Sequence, residues 1–187
     1  MNIARVSLAI IAASLVVVFS LTGLAQAQPA PGPEGGPEGA WRSQIHWIPM
    51  TDAAGNRHLL QARICRPPSD MAARVVIIAH GTFPNNKKAV PGHCEAEAIR
   101  WFLDRGFIVV SALRRGYGAT GGDWAEGIAH KPGDDYFRPG LETARDIAAT
   151  VDYATALPFA QSRAAVVIGH SGAVGARSHT TRSRIRA

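Results

Sequence analysis

Ala164-Ala165-Val166-Val167-Ile168-Gly169-His170-Ser171-Gly172-Ala173 is the stretch on which the fold turns. Its first five residues are apolar without alternation, the pattern of a strand covered on both faces, since a strand with one wet face alternates polar and apolar side chains. The strand runs directly into a serine with small residues two places before it and two after. A sharp strand-to-helix turn that presents a serine needs that arrangement, because its backbone is strained and larger neighbours would collide. Ser171 is therefore a candidate nucleophile, with Gly169 and Ala173 as the small neighbours, alanine being a mild departure from the usual glycine. The pattern alone also describes an ordinary turn, so its weight comes from the surrounding chain.

Upstream, Val75-Val76-Ile77-Ile78-Ala79 is a second continuous apolar run and leads into His80-Gly81-Thr82. Glu95 to Asp104 is expected to be a helix with Ala98, Trp101 and Phe102 on one face and Gly106 as its stop. Phe107 to Val110 is the next buried strand. Leu141 to Leu157 places Leu141, Ala144, Ile147, Ala148, Val151 and Ala154 at helical spacing, and Pro158 ends it. Strands alternating with helices at these lengths imply parallel βαβ units with helices on both faces of the sheet. Before them, Gln44 to Met50 and His58 to Cys65 flank a turn-forming stretch and are expected to pair as an antiparallel hairpin.

Between the apolar strands at 107–110 and 164–168 lies Arg114-Arg115-Gly116-Tyr117-Gly118-Ala119-Thr120-Gly121-Gly122. A glycine-rich loop after a strand can cradle phosphate, but here no Gly-Lys-Ser/Thr follows and no helix opens on the glycines, so nucleotide binding falls away. The segment resembles the Arg-Gly-x-Gly-x-[Ser/Thr]-x-Gly loop of α/β-hydrolases of the dienelactone hydrolase and prolyl-oligopeptidase-like branch. With His80-Gly81 before it and Ser171 after it, three motifs stand in that family's order, from about Ile45 to Ser171. The resemblance implies a partial α/β-hydrolase fold: a mostly parallel sheet with an N-terminal antiparallel hairpin, lacking the C-terminal strands and helices.

It also implies hydrolysis of an ester, lactone or amide through an acyl-enzyme, with Ser171 attacking the acyl carbonyl of a small-molecule substrate. The backbone N–H groups of Thr82 and Gly172 would form the oxyanion hole, and Gly81 would let the backbone approach the substrate. His80 reads as a structural histidine of that loop, while Gly169, Arg115, Gly116 and Gly118 complete the motifs. No cofactor is implied, and no His/Cys cluster has metal-site spacing; Asp134-Asp135 reads as a polar turn. The family's order after serine is acid and then histidine. Downstream of Ser171 there is no Asp or Glu, and the one histidine, His179, falls within the helix expected after the turn and would point away from the serine. Residues 175–187 lose helical periodicity and mix Arg with Ser and Thr. They read either as a basic irregular tail or as the product of a frameshift or truncation; the second is favoured, because a parallel sheet ending at its nucleophile strand leaves apolar surface uncovered. The expectation is a hydrolase with an incomplete triad and little turnover, and the alternative is a non-catalytic secreted binding protein on a reduced α/β scaffold.

The remaining features bound the setting. Residues 1–27 have the form of a signal peptide: Arg5, an apolar run from Val6 to Leu24, then Ala25-Gln26-Ala27 as the cleavage site. An uncleaved anchor is the alternative, and either form puts the domain in the periplasm or outside the cell, with no membrane association once the leader is cut. Residues 28–40, with four prolines and four glycines, read as a flexible linker. Residues 41–174 are then the N-terminal part of the hydrolase domain. Export permits a disulfide between Cys65 and Cys94, with two free thiols as the alternative. The formal charge of +6 owes much to Arg5 and to Arg177, Arg182, Arg184 and Arg186, and no basic stripe runs through the body, which argues against nucleic acid. Oligomeric state is not legible.

Overall fold

The computed structural model describes residues 29–82, 86–124 and 137–171. The expected signal peptide, Gly172, Ala173, the acidic pair at 134–135, His179 and the tail at 175–187 lie outside the described residues.

Six strands form one mixed sheet: β1 (Gly32–Glu38), β2 (Ser43–Thr51), β3 (Arg57–Cys65), β4 (Ala73–Ala79), β5 (Ile108–Ala112) and β6 (Ala160–Gly169), in the order β1-β2-β3-β5-β4-β6. β1, β2, β3 and β5 are joined by antiparallel pairing, and β4 pairs in parallel with both β5 and β6. The expected hairpin is present from Gln44 opposite Ile64 to Thr51 opposite Arg57. Its turn is closed by Asp52, whose Oδ1 accepts the N–H groups of Ala54 (2.9 Å) and Asn56 (2.8 Å).

Two helices cover opposite faces. α2 (Phe137–Thr155) crosses from β5 to β6 and buries Ala144, Ile147, Val151 and Ala154 against Ile48, Leu60, Ile64, Val75, Ile77 and Val110. It begins four residues before the expected Leu141; Pro139 is accommodated because an N–H in the first helical turn has no intrahelical acceptor. α1 (Glu97–Leu103) ends on Gly106, at φ 78°, where the Gly106 and Phe107 N–H groups donate to the carbonyls of Leu103 and Phe102.

The structure corrects three expectations. First, the Pro/Gly-rich stretch taken as a linker contains β1, paired with β2 from Gly32 opposite Trp47 to Glu38 opposite Ser43. Prolines are tolerated on an edge strand whose outer N–H side needs no partner. The Gln44 side chain also donates to the Gly35 carbonyl (2.7 Å), and Trp47 Nε1 to Glu34 (2.7 Å). Second, α1 buries Ile99 and Leu103, not Ala98 and Trp101; Trp101 is 51% exposed. A Cys65–Cys94 disulfide, with Cα atoms 5.7 Å apart, ties the approach to α1 to the end of β3, and Ile99 and Leu103 pack with it and Val109. Third, among the described residues β6 is an edge strand, and Val166 is 54% exposed while its neighbour Val76 is fully buried. Continuous apolar character matched the strand but not two-sided cover.

Candidate active site

From β4 the chain passes through α1 to β5 on one side, and from β5 through α2 to β6 on the other side of β4, so the winding reverses at β4. In such sheets the crevice at the carboxyl ends of the strands flanking the reversal is where ligands bind. The carboxyl ends of β4 and β6 carry His80-Gly81-Thr82 and His170-Ser171, and the two loops are in contact. The His170 N–H donates to the Ala79 carbonyl (3.2 Å). A Cβ placed on Gly81 would stand 2.8 Å from His170 Nδ1 and 3.1 Å from Ser171 Cβ, so a side chain there would push the His170 ring and Ser171 from their present positions.

Ser171 itself has φ 50° and is exposed. A non-glycine residue in the left-handed region costs about 1–2 kcal/mol, and such strain persists where the surrounding structure holds it. Ser171 comes two residues after the end of β6, and its Cβ lies beside Gly81 at the carboxyl ends of the strands.

The second wall is built by hydrogen bonds to the His80 loop. The Arg114 N–H donates to His80 Nε2 (3.2 Å), so the neutral ring carries its proton on Nδ1, which donates to the Gly81 carbonyl (2.6 Å). The buried Arg114 guanidinium donates to the His80 carbonyl (2.5 Å), with a longer contact to the Gly81 carbonyl (3.5 Å). The His80 ring also meets Tyr117 edge-on, with centroids 4.5 Å apart. Both ring nitrogens of His80 are thus engaged with backbone groups of the loop and of Arg114. Because carbonyl and N–H point oppositely across a trans peptide, drawing the Gly81 carbonyl toward His80 and Arg114 turns the Thr82 N–H away from them. Thr82 is exposed beside Gly81. Its proposed oxyanion partner Gly172 is not described.

The Arg115 loop holds this wall in place. The Arg115 N–H and Nε both donate to Asp146 (2.9 and 2.8 Å), and Nη2 donates to Glu142 (2.7 Å). Burial pushes the Asp146 carboxyl upward, against the pull of the Arg115 guanidinium. Gly116 has φ 82°, and a Cβ there would lie 2.5 Å from Trp124 Cα; one on Gly118 would run into the Ala89 carbonyl. Thr120 Oγ1 accepts the Gln61 N–H (2.9 Å) and donates to the Leu113 carbonyl (3.1 Å), joining the loop to β3. Sequence reasoning identified the loop but missed Arg114, Glu142 and Asp146. The signal for Asp146 was an acidic residue one place before Ile147, on the stripe of α2 that faces the core.

Two cavities lie away from Ser171. One, of about 250 Å³, opens at the amino ends of β4, β5 and β6 beside Arg66, Arg74, Arg105 and Phe159. The other, of about 460 Å³, lies beside Trp47, Pro49, His58 and residues 119–122. Among the described residues no group of three His, Cys, Asp or Glu side chains is placed to hold a metal ion, and no helix is long and apolar enough to cross a membrane.

No family model matches the chain, and no curated protein matches it. Solved structures do. A Bacteroides fragilis protein assigned as an acetyl xylan esterase aligns with a TM-score of 0.53 at 12% identity, over 80% of this chain and 44% of its own. A prolyl endopeptidase aligns with a TM-score of 0.51 at 15% identity, over 76% of this chain and 20% of its own. At these identities the likeness establishes the fold, which is that of the α/β hydrolases, and the chain spans less than half the length of either structure.

Proposed function

We propose that this α/β-hydrolase fold carries the nucleophile half of a secreted serine hydrolase, acting on an ester, lactone or amide through an acyl-enzyme at Ser171. The observation that carries the reading is Ser171 at φ 50°, leaving β6 against Gly81. A strained serine beside a backbone loop with a free N–H direction is what an acyl carbonyl needs: a nucleophile on one side and a donor for the developing oxyanion on the other. Thr82 N–H is one such donor and Gly172 N–H the other.

The base is the weak part of the site. His80 is committed on both ring nitrogens. A serine acting without an engaged base retains only the acceleration that binding and an oxyanion hole supply, about 10³–10⁴ over water in well-studied triads. The expected outcome with p-nitrophenyl acetate is a slow hydrolysis by the full chain that falls to background in Ser171→Ala. Equal rates in the two proteins overturn the assignment of Ser171. A rate typical of complete triads overturns the impaired reading. Export rests on the leader at residues 1–27, and Edman sequencing of the periplasmic or secreted product should begin at Gln28; an intact Met1 would refute cleavage.

A further inference from the structure

Three arginines from three separate segments converge on the cavity at the amino ends of the parallel strands. Arg66 follows β3, Arg74 lies at the start of β4 and Arg105 lies in the turn after α1, and no Asp or Glu lines the space they share. Each guanidinium lies over an aromatic ring: Arg66 over Phe159 at 4.5 Å, Arg74 over Phe107 at 5.3 Å and Arg105 over Trp101 at 3.7 Å. Carboxylates near them in sequence pair with other arginines, Asp70 with Arg42 at 2.8 Å and Asp104 with Arg100 at 3.9 Å, although the Arg66 charge also acts on Asp70 from outside hydrogen-bond distance. Among the described residues, the Arg66 and Arg74 guanidinium groups have no ion pair or hydrogen bond, and Arg105 donates only through Nη1, to the Trp101 carbonyl.

Stacking holds a guanidinium by its face and leaves the N–H donors on its edge open. Those edges match the oxygens of a phosphate or carboxylate in paired hydrogen bonds. Phe107, Ile108 and Phe159 add an apolar wall to the same cavity. We propose that this cavity binds a small amphipathic oxyanion, its phosphate or carboxylate head among Arg66, Arg74 and Arg105 and its apolar body against Phe107 and Phe159. The site is separate from the Ser171 crevice: β4 runs between them for about 20 Å at 3.3 Å per residue.

Isothermal titration of the full chain with phenyl phosphate, phenylacetate, inorganic phosphate and benzyl alcohol tests this. Both aromatic anions should bind one per chain, inorganic phosphate several-fold more weakly, and benzyl alcohol not measurably. Arg74→Gln and Arg105→Gln, both at exposed positions, should each weaken phenyl phosphate on the order of tenfold, the loss of one charge-assisted contact. Arg66→Lys should weaken it less than Arg66→Gln, and Ser171→Ala should not change it. Absence of saturable binding by either aromatic anion overturns the proposal. So does an affinity unchanged in the double variant Arg74→Gln/Arg105→Gln with its melting temperature retained, or inorganic phosphate binding as tightly as phenyl phosphate. Loss of binding in Ser171→Ala would place the anion in the other crevice and equally refute it.

Discussion

The two ends of the parallel strands use arginine in opposite ways. At the carboxyl ends, Arg114 and Arg115 are 3% and 4% exposed and committed: Arg115 to Asp146 and Glu142, Arg114 to the carbonyls of His80 and Gly81. At the amino ends, Arg66, Arg74 and Arg105 rest on rings at or near the surface, and the anchor there is covalent, the Cys65–Cys94 disulfide. A charge withdrawn from water must be paired and hydrogen-bonded, whereas one at the surface can remain open to a ligand. The carboxyl end is therefore rigid where a backbone donor must be aimed, and the amino end retains unused donors.

Breaking the buried network should have the largest effect. Arg115→Met leaves Asp146 buried without its cation and should cost about 3–5 kcal/mol in urea unfolding. Arg74→Gln should stay within about 0.5 kcal/mol. Similar losses from the two would erase the distinction between the ends. Opening the covalent anchor comes next: Cys65→Ser/Cys94→Ser should cost about 3–4 kcal/mol by the loop-closure model. That loss should persist in high salt, unlike one from a surface ion pair.

Acid should act through a buried histidine of the antiparallel hairpin. His46 is buried in β2 and bonded to the Tyr153 hydroxyl at 2.8 Å; burial, with the Arg66 charge, lowers its pKa to about 4. Its folded pKa lies below its unfolded value of 6.5, so the unfolded chain binds the extra proton between the two. Stability should fall as pH drops from 6.5 toward 4, by about 2–3 kcal/mol, and level off below. In His46→Gln this portion of the pH profile should flatten; an unchanged slope would assign the loss to other groups. The smallest effect tests the crevice itself. Ser171→Gly should raise stability by about 1 kcal/mol by relieving φ 50°. No gain would remove the evidence for strain at the turn.

What was legible in the sequence follows from how local each signal is. The run Val75 to Ala79, the hairpin around Asp52-Gly55-Asn56 and the strand into Ser171 are spelled in consecutive residues, and each was found where expected. The loop from Arg114 to Gly122 was legible as a loop, because Gly116 and Gly118 answer to a backbone constraint. Its partners were not, since Asp146 lies thirty-one residues from Arg115 and only packing joins them. α1 misled because Ala98, Ile99, Trp101, Phe102 and Leu103 are apolar around most of the helix, and the disulfide and Val109 select which side is buried.

By itself, the sequence determined the alternation of strands and helices, the serine at the end of a strand and the glycines around it, because periodicity and backbone strain act over a few residues. Tertiary structure alone decided that Pro33 and Glu34 belong to a strand, that Arg114 holds the His80 loop, and that Arg66, Arg74 and Arg105 share one cavity. Those outcomes depend on which distant segments meet, and no local pattern encodes a meeting.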